Sequence, residues 1–114
     1  MLLAALVLVA AGQAFECRVA TVHDGDTIRC ADGTRVRLQG IDANELDGSC
    51  HTTCARLSAD RARARLESLS LRQTLRCSPT GRSYRRVVAW CSVRLRGRMV
   101  DLSCAQVETG TAII

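Results

Sequence analysis

The chain has 114 residues, of which 47% are hydrophobic and 24% charged, and its formal net charge is +5. These 114 residues have room for one domain with one core. All sixteen basic side chains are arginine, which favours bidentate contacts with phosphate or acidic polymers. Only three residues are aromatic, which is too few for an extended platform on which bases stack.

The N-terminal segment, residues 1–14, carries no charged side chain and is almost continuously apolar. It ends in Gly12-Gln13-Ala14, with small residues where signal-peptidase cleavage before Phe15 requires them. The run is too short to cross a bilayer as a helix, which takes about 20 residues. The alternative is a buried N-terminal strand or helix. We therefore expect a signal peptide over residues 1–14 and a secreted or periplasmic domain over residues 15–114, without stable membrane association.

Seven cysteines are a high number for a chain of this length. In an exported domain they predict disulfides that compensate for a small core. The spacing favours two pairs that each face across a hairpin, Cys17 with Cys30 and Cys77 with Cys91. It also favours a small loop closed by Cys50 with Cys54. This pairing leaves Cys104 without a partner. The alternative is a zinc or haem site at residues 50–54. No second ligand pair follows at zinc-finger spacing, and the order reverses that of a haem-attachment motif.

Three short runs rich in Val, Ile, Thr and Arg predict strands at residues 16–22, 26–31 and 34–40. Between the second and the third, Asp32-Gly33 predicts a two-residue hairpin turn. Val36 and Leu38 alternate with polar residues in the third strand, so one face is expected to be buried and the other to present the guanidinium of Arg37.

The hydrophobic period then becomes that of a helix, over residues 54–71. Small or apolar residues recur three or four apart, with arginines elsewhere on the wheel: Ala55, Ala59, Ala62, Leu66 and Leu69. Two more strands are predicted at residues 73–78 and 86–94, and the second has apolar residues on both faces, which predicts a central, buried strand. Gly97 predicts a turn, and residues 100–108 predict a short helix that ends before Gly110.

This order of elements is typical of a mainly β protein with helices, of the α+β class. It predicts a five-stranded OB-fold Greek-key barrel with helices packed on it. No internal repeat and no low-complexity linker interrupts the pattern, so we expect a single domain that acts as a monomer.

Carboxylates stand at the end of two strand-like runs, in Asp24-Gly25-Asp26-Thr27 and in the segment from Arg37 to Glu45. Carboxylates bind hard divalent cations, and arginine holds phosphate through its planar fork of donors. The two features together predict a site for a phosphodiester.

These segments, in this order, resemble the thermonucleases of the staphylococcal nuclease family. The resemblance covers residues 17–112, and several ordered motifs at the family's spacing are more specific than any one of them. The motifs are VHDGDT at residues 22–27, Arg37-Leu38 with Asp42 and Glu45, YRRVVA at residues 84–89, and Asp101-Leu102 followed by Gly110 and Ala112. The resemblance implies an OB barrel, in agreement with the pattern, and a calcium-dependent nuclease that acts on DNA and RNA.

The resemblance also implies a calcium site. Asp26 and Asp42 would ligate Ca²⁺ through their carboxylates, and Ala43 would ligate it through its backbone carbonyl. The ion would bridge a phosphate oxygen and cancel charge that repels the nucleophile.

The same resemblance assigns the catalytic groups. Glu45 would act as general base on an attacking water. Arg37 and Arg86 would hold the equatorial phosphate oxygens and stabilise the charge that develops on phosphorus. Tyr84 is expected either to hydrogen-bond a phosphate or to pack. His23 and His51 have no partner at useful spacing and are expected to be structural or solvent-facing.

The chain departs from the family pattern in three places. Ala43 and Asn44 stand where the family has Thr and Pro, which removes a hydroxyl and a loop-stiffening ring. Arg85 replaces the glycine usual before the catalytic arginine, and a positive φ there would be strained. Arg85 would otherwise add a phosphate contact or take over the role of Arg86. The sequence stops at Ile114, short of the aromatic residues that the family places near the bound base.

Each of these residues also has a plain structural explanation as a turn, a cap or a solvated strand residue. Two other classes of protein stay open. One is a non-catalytic nucleic-acid-binding OB module, which the retained acids disfavour. The other is a cysteine-rich secreted interaction domain, which would show no salt-dependent affinity for nucleic acid.

Overall fold

A closed β-barrel forms the centre of the structure, a computed structural model that describes residues 12–43, 53–108 and 112–113, with the side chains of residues 42–43, 53–58 and 112–113 outside the description. The described chain forms eight strands and two helices. In order they are β1 (Phe15–Asp24), β2 (Thr27–Cys30), β3 (Arg35–Leu38), β4 (Asp42–Ala43), α1 (Thr53–Ser70), β5 (Thr74–Ser83), β6 (Arg86–Leu95), β7 (Arg98–Asp101), α2 (Leu102–Glu108) and β8 (Ala112–Ile113).

The barrel closes through a parallel pair of strands. The main sheet has the order β3-β2-β1-β5-β6-β7, and β3 also pairs with β6 in parallel register, with Val36 opposite Val87 and Leu38 opposite Ala89. Five strands (β1, β2, β3, β6 and β5) therefore form a closed ring, and β7 extends the sheet beyond β6. A five-stranded closed barrel with a helix between its third and fourth strands is the OB architecture, which confirms the predicted fold class.

The core lies inside the barrel and under α1. Val36 and Leu38 are fully buried while the intervening side chain of β3 is not, so the predicted alternation is confirmed. Helix α1 packs against β1 and α2. Of the helix face predicted to be buried, Ala59, Ala62, Leu66 and Leu69 are buried, whereas the side chain of Ala55 lies outside the described residues.

Two disulfides tie neighbouring strands together. Cys17–Cys30 joins β1 to β2, and Cys77–Cys91 joins β5 to β6, as the spacing predicted. Cys104 is free and exposed. The predicted pairing of Cys50 with Cys54, like the zinc or haem alternative there, lies outside the described residues. Disulfides of this kind are typical of proteins in oxidising compartments. Within the described ranges, no helix is both long and apolar enough to span a bilayer.

The second half of the chain contains more strand than the pattern predicted. The strand predicted at residues 73–78 continues as β5 to Ser83, with a register shift between Pro79 and Gly81 where the proline interrupts the ladder. The helix predicted from residue 100 begins at Leu102, because residues 98–101 pair with β6 as β7.

Two details of the predicted strands and turns also need correction. The Asp32-Gly33 hairpin has a three-residue loop, because the amide of Cys30 donates to the carbonyl of Thr34, and Gly33 takes the left-handed conformation with φ +95°. Strand β6 is central, as predicted, since it pairs with β3, β5 and β7. Only one of its faces is well buried, because the side chain of Trp90 on the other face is 42% exposed.

Candidate active site

Asp26 lies buried at the turn between β1 and β2. Its amide donates to Asp24 Oδ1 at 3.1 Å, a side-chain turn typical of aspartate. Its carbonyl accepts from the amide of Leu38 at 2.8 Å, which ties the turn to the end of β3. Asp26 is only 1% exposed, and aspartate is rarely so buried without partners.

Thr27 and Arg37 both contact the carboxylate of Asp26. The hydroxyl of Thr27 donates to Oδ1 at 2.9 Å, and Nη2 of Arg37 lies 3.4 Å from Oδ2. The Asp26 side chain is 2% exposed and that of Arg37 is 19% exposed, so both partners of this ion pair are largely removed from solvent.

Arg37 donates hydrogen bonds to the backbone at the end of β3 and just after it. Its Nη1 donates to the carbonyl oxygens of Leu38 at 2.7 Å and Ile41 at 2.8 Å. The explanation of Arg37 as a solvated strand residue is therefore wrong. Because a single guanidinium contacts both Ile41 and Asp26, the segment that leads into Asp42 lies beside the Asp26 carboxylate.

Arg86, at the start of β6, reaches the same cluster from the strand that pairs with β3. Its Nη1 donates to the hydroxyl of Thr27 at 3.3 Å, and its Nη2 donates to the hydroxyl of Ser83 at 3.4 Å. Thr27 thus joins Arg86 to Asp26. The structure brings together three of the predicted site residues, Asp26, Arg37 and Arg86, around a threonine to which the sequence analysis gave no role.

Arg85 stays outside this cluster, and its backbone is not strained. The left-handed residue of the β5–β6 turn is Tyr84, with φ 57°, and Arg85 is absent from the positive-φ residues of the described chain. The condition under which Arg85 would be strained, a positive φ, is therefore not met. Tyr84 is 93% exposed, which also excludes the explanation that it packs. His23 is exposed, in agreement with the prediction, and His51 lies outside the described residues.

Gln106 supports the turn of Asp26 from helix α2. Its Nε2 donates to the carbonyl oxygens of Gly25 at 2.8 Å and Ala62 at 2.9 Å, and the residue is fully buried. One amide therefore connects the turn before Asp26 to both helices. The sequence did not predict this role, for which its one local signal is a polar residue within a short apolar helix.

The remaining predicted site residues are described only in part. Strand β4 places the backbone of Asp42 opposite Ile113 and that of Ala43 opposite Ala112 in β8. The side chains of Asp42 and Ala43 and all of Glu45 lie outside the described residues. Among the side chains that are described, no three metal-ligating groups form a cluster.

The donor chemistry fits a calcium ion. The donors assigned to Ca²⁺ are all oxygens, which are the ligands that hard cations prefer. Arg37 holds the Ile41 carbonyl beside the Asp26 carboxylate, and Asp42 and Ala43 follow Ile41 directly in the chain. This arrangement brings the backbone of the other two assigned ligands towards Asp26.

The chain matches no protein-family model, and no curated protein is significantly similar to it. The function is therefore inferred from the chemistry and geometry of the site.

Proposed function

We propose that this protein is a calcium-dependent nuclease of the thermonuclease type, which hydrolyses phosphodiester bonds of DNA and RNA. One observation carries the proposal: a buried carboxylate, Asp26, lies between two arginines, which it meets directly at Arg37 and through Thr27 at Arg86. The fold brings these groups together from separate strands, as a site for a phosphate and a cation requires.

The contacts of Arg86 leave it suited to a substrate phosphate. Its two side-chain bonds run to neutral hydroxyls, at 3.3 Å to Thr27 and 3.4 Å to Ser83. Charge-assisted bonds between guanidinium and phosphate are shorter and about twice as strong as neutral ones. A phosphate oxygen would therefore displace these hydroxyl contacts at a net gain. Arg86 would then stabilise the negative charge that develops on the phosphoryl oxygens during attack.

Arg37 would act differently from Arg86. Its Nη1 is committed to the Leu38 and Ile41 carbonyls, and its Nη2 faces Asp26. We assign it two tasks: it holds the segment that carries Asp42 and Ala43, and it presents positive charge to a phosphate bound beside Asp26. In this proposal Arg37 is both a positioning group and an electrostatic one.

Asp26, Asp42 and the carbonyl of Ala43 would hold the Ca²⁺ ion. When bound, Ca²⁺ supplies positive charge that offsets the charge of the phosphate and lowers its repulsion of an incoming nucleophile. Glu45 would take the proton of the attacking water as general base. The water oxygen forms a bond to phosphorus, the bond from phosphorus to the leaving oxygen breaks, and the leaving oxygen takes a proton from solvent water.

We also propose that the mature domain begins near Phe15 and works outside the cytoplasm. The two disulfides support this assignment, since thiols are kept reduced in the cytosol.

Cleavage of labelled single-stranded DNA by the oxidised protein tests the proposal. The assay compares calcium with a chelator, and it compares the wild type with Glu45→Gln and with the matched control Glu108→Gln, an exposed acid in α2. We expect calcium-dependent cleavage that Glu45→Gln lowers on the order of 10² or more, as removal of a general base does. Glu108→Gln is expected to match the wild type.

A folded protein that binds DNA without cutting it would contradict the nuclease and leave the non-catalytic OB module. A folded protein without salt-dependent affinity for DNA would contradict both the nuclease and the nucleic-acid-binding OB module, and the cysteine-rich interaction domain would be the class that stays open.

A further inference from the structure

A groove of about 1030 Å³ runs from the candidate active site along the surface of the barrel. It shares Thr27 and Arg86 with the site and continues past residues of β1, β2, β3 and α1. Eleven described residues line it, of which five are arginine and none is acidic. The arginines are Arg29, Arg35, Arg63, Arg85 and Arg86. A groove with this lining is strongly positive.

Two of the arginines face each other across neighbouring strands. Arg29 of β2 and Arg35 of β3 are direct cross-strand partners in an antiparallel pair, and both are exposed. Side chains in this position start about 5 Å apart, and like charges there are destabilising. Within the described part of the chain, neither arginine forms an ion pair. The pair therefore creates a binding position for an anion that the protein itself does not fill.

The third arginine comes from the helix. Arg63 of α1 lines the same groove, and its Nη2 lies 3.7 Å from Oε2 of Glu67 one turn later. Both side chains of that pair are partly exposed, at 53% and 35%, so solvent screens the pair and it is weak. Arg63 can therefore turn to a second anion in the groove at little cost.

We propose that this arginine groove binds the phosphates of a single-stranded polynucleotide on one side of the scissile bond. The inference rests on the proposed function, because it makes Arg86 the point where the bound strand enters the active site. Guanidinium groups suit phosphates, which they hold through two parallel hydrogen bonds. Successive cations along an open groove fit a polymer of phosphates better than a single small anion.

The burial of the active site selects a flexible strand. Asp26 is 1% exposed, and the side chain of Arg37 is 19% exposed. Neither residue lines the groove, so a strand bound there has to bend at Arg86 to bring a phosphate towards them, which a single strand does and a stiff duplex resists. Among the described lining residues, Tyr84, which is 93% exposed, is the only one of Phe, Tyr or Trp, and His23 adds one imidazole, so binding depends on charge more than on base identity.

Binding in the presence of a chelator tests the groove without catalysis. The probe is a short oligothymidylate with a fluorescent label, and its anisotropy is followed across a series of salt concentrations. The test variant is Arg29→Gln with Arg35→Gln. The matched control is Arg94→Gln with Arg98→Gln, which removes the same charge from exposed positions of β6 and β7 outside the groove.

We expect the groove variant to bind on the order of 10-fold more weakly than the wild type at moderate salt. Each lost contact to a single strand lowers the slope of log K against log salt by about 0.7, so two lost contacts lower it by about 1.4. The control should keep most of the wild-type slope. Circular dichroism melting establishes that both double variants are folded.

Equal affinity and equal slope for the groove variant and the wild type would overturn the proposal, as would an equal loss in the control variant. Its failure is distinguishable from that of the proposed function. Binding through the groove without any cleavage in calcium would support the groove and contradict the nuclease. Calcium-dependent cleavage by the wild type, together with normal binding by the groove variant, would support the nuclease and contradict the groove.

Discussion

The hydroxyl of Thr27 accepts a hydrogen bond from Nη1 of Arg86 at 3.3 Å, although 59 residues separate the two in the chain. The same hydroxyl donates to Oδ1 of Asp26 at 2.9 Å. Thr27 therefore orients a cation on one side and a carboxylate on the other. The side chain of Thr27 therefore links the position of Arg86 to that of Asp26.

The first prediction concerns the two adjacent arginines of the β5–β6 hairpin. Arg86→Gln is expected to lower the rate of DNA cleavage by on the order of 10² to 10³, the usual loss when one donor to a developing charge is removed. Arg85→Gln removes an exposed side chain outside the cluster and should lower the rate far less. Turnover at saturating DNA, with melting curves for both variants, makes the comparison. If Arg85→Gln proves the more damaging, Arg85 and not Arg86 is the catalytic arginine.

The second prediction concerns the support of the Asp26 turn. Gln106→Leu removes the buried donor of the Gly25 carbonyl and a second donor to the Ala62 carbonyl, which keeps its bond within α1, and the loss costs about 1–3 kcal/mol of folding free energy. For a domain of this size, each kcal/mol lowers the melting temperature by about 4–8 °C. Gln73→Leu replaces an exposed glutamine and serves as the control. A melting temperature unchanged by Gln106→Leu would show that neither bond contributes to stability.

The third prediction separates a steric clash from backbone strain. Gly40 and Gly33 have similar positive φ values, +84° and +95°, but a methyl group on Gly40 would lie 2.6 Å from Cη2 of Trp90, whereas one on Gly33 would meet open space. Gly33→Ala should therefore cost only the left-handed strain, about 1–2 kcal/mol. Gly40→Ala should cost more, and it should also push the indole outward.

Fluorescence reports that movement, because Trp90 is the only tryptophan. We expect the emission of Gly40→Ala to shift to longer wavelength as the ring becomes more exposed, and that of Gly33→Ala to stay unchanged. Identical spectra and identical stability losses in the two variants would show that the Trp90 ring accommodates the added methyl group without becoming more exposed and without a further loss of stability.

The fourth prediction concerns the free thiol. The carboxylate of Asp101 raises the pKa of Cys104, with smaller contributions from desolvation and from Glu108, so less thiolate is present at a given pH. Asp101→Asn removes the main cause, and the pKa should fall. Alkylation by iodoacetamide, followed against pH, should then become faster and reach half its maximal rate at lower pH.

The fold should tolerate that change. Oδ1 of Asp101 caps helix α2 by accepting from the amide of Cys104 at 2.9 Å, and asparagine caps about as well as aspartate. The melting temperature should therefore stay close to that of the wild type. An alkylation profile identical to the wild type would show that Asp101 does not control the thiol.

The sequence predicted those parts of the fold that depend on local pattern. Alternation placed Val36 and Leu38 in the barrel core, and helical spacing placed Ala62 and Leu66 on the buried face of α1. Both hairpin disulfides followed from cysteines that flank a turn. In each case the information lies within a few residues along the chain, where periodicity and turn chemistry act.

The parts that escaped prediction depend on partners far apart in the sequence. Gln106 is 81 residues from Gly25, and nothing near either residue indicates that one caps the other. Arg37 was expected to face phosphate, yet two of its bonds run to the carbonyls of Leu38 and Ile41, because the chain turns back on that side chain after β3. Strand β7 was missed because its polar and apolar residues do not alternate and its pairing with β6 decides its structure.

The placement of the two disulfides separates oxidation from barrel closure during folding. Cys17–Cys30 and Cys77–Cys91 span 13 and 14 residues, each within one hairpin, and closing a loop of this size stabilises a protein by about 3 kcal/mol. Because a nascent chain appears N-terminus first, the first bridge has both of its thiols before β5 is made, and the second needs only its own hairpin. Neither has to wait for the parallel pairing of β3 with β6. Cys104, the free thiol of the described chain, lies C-terminal to all four of these cysteines, so each bridge forms from thiols that precede it in the sequence.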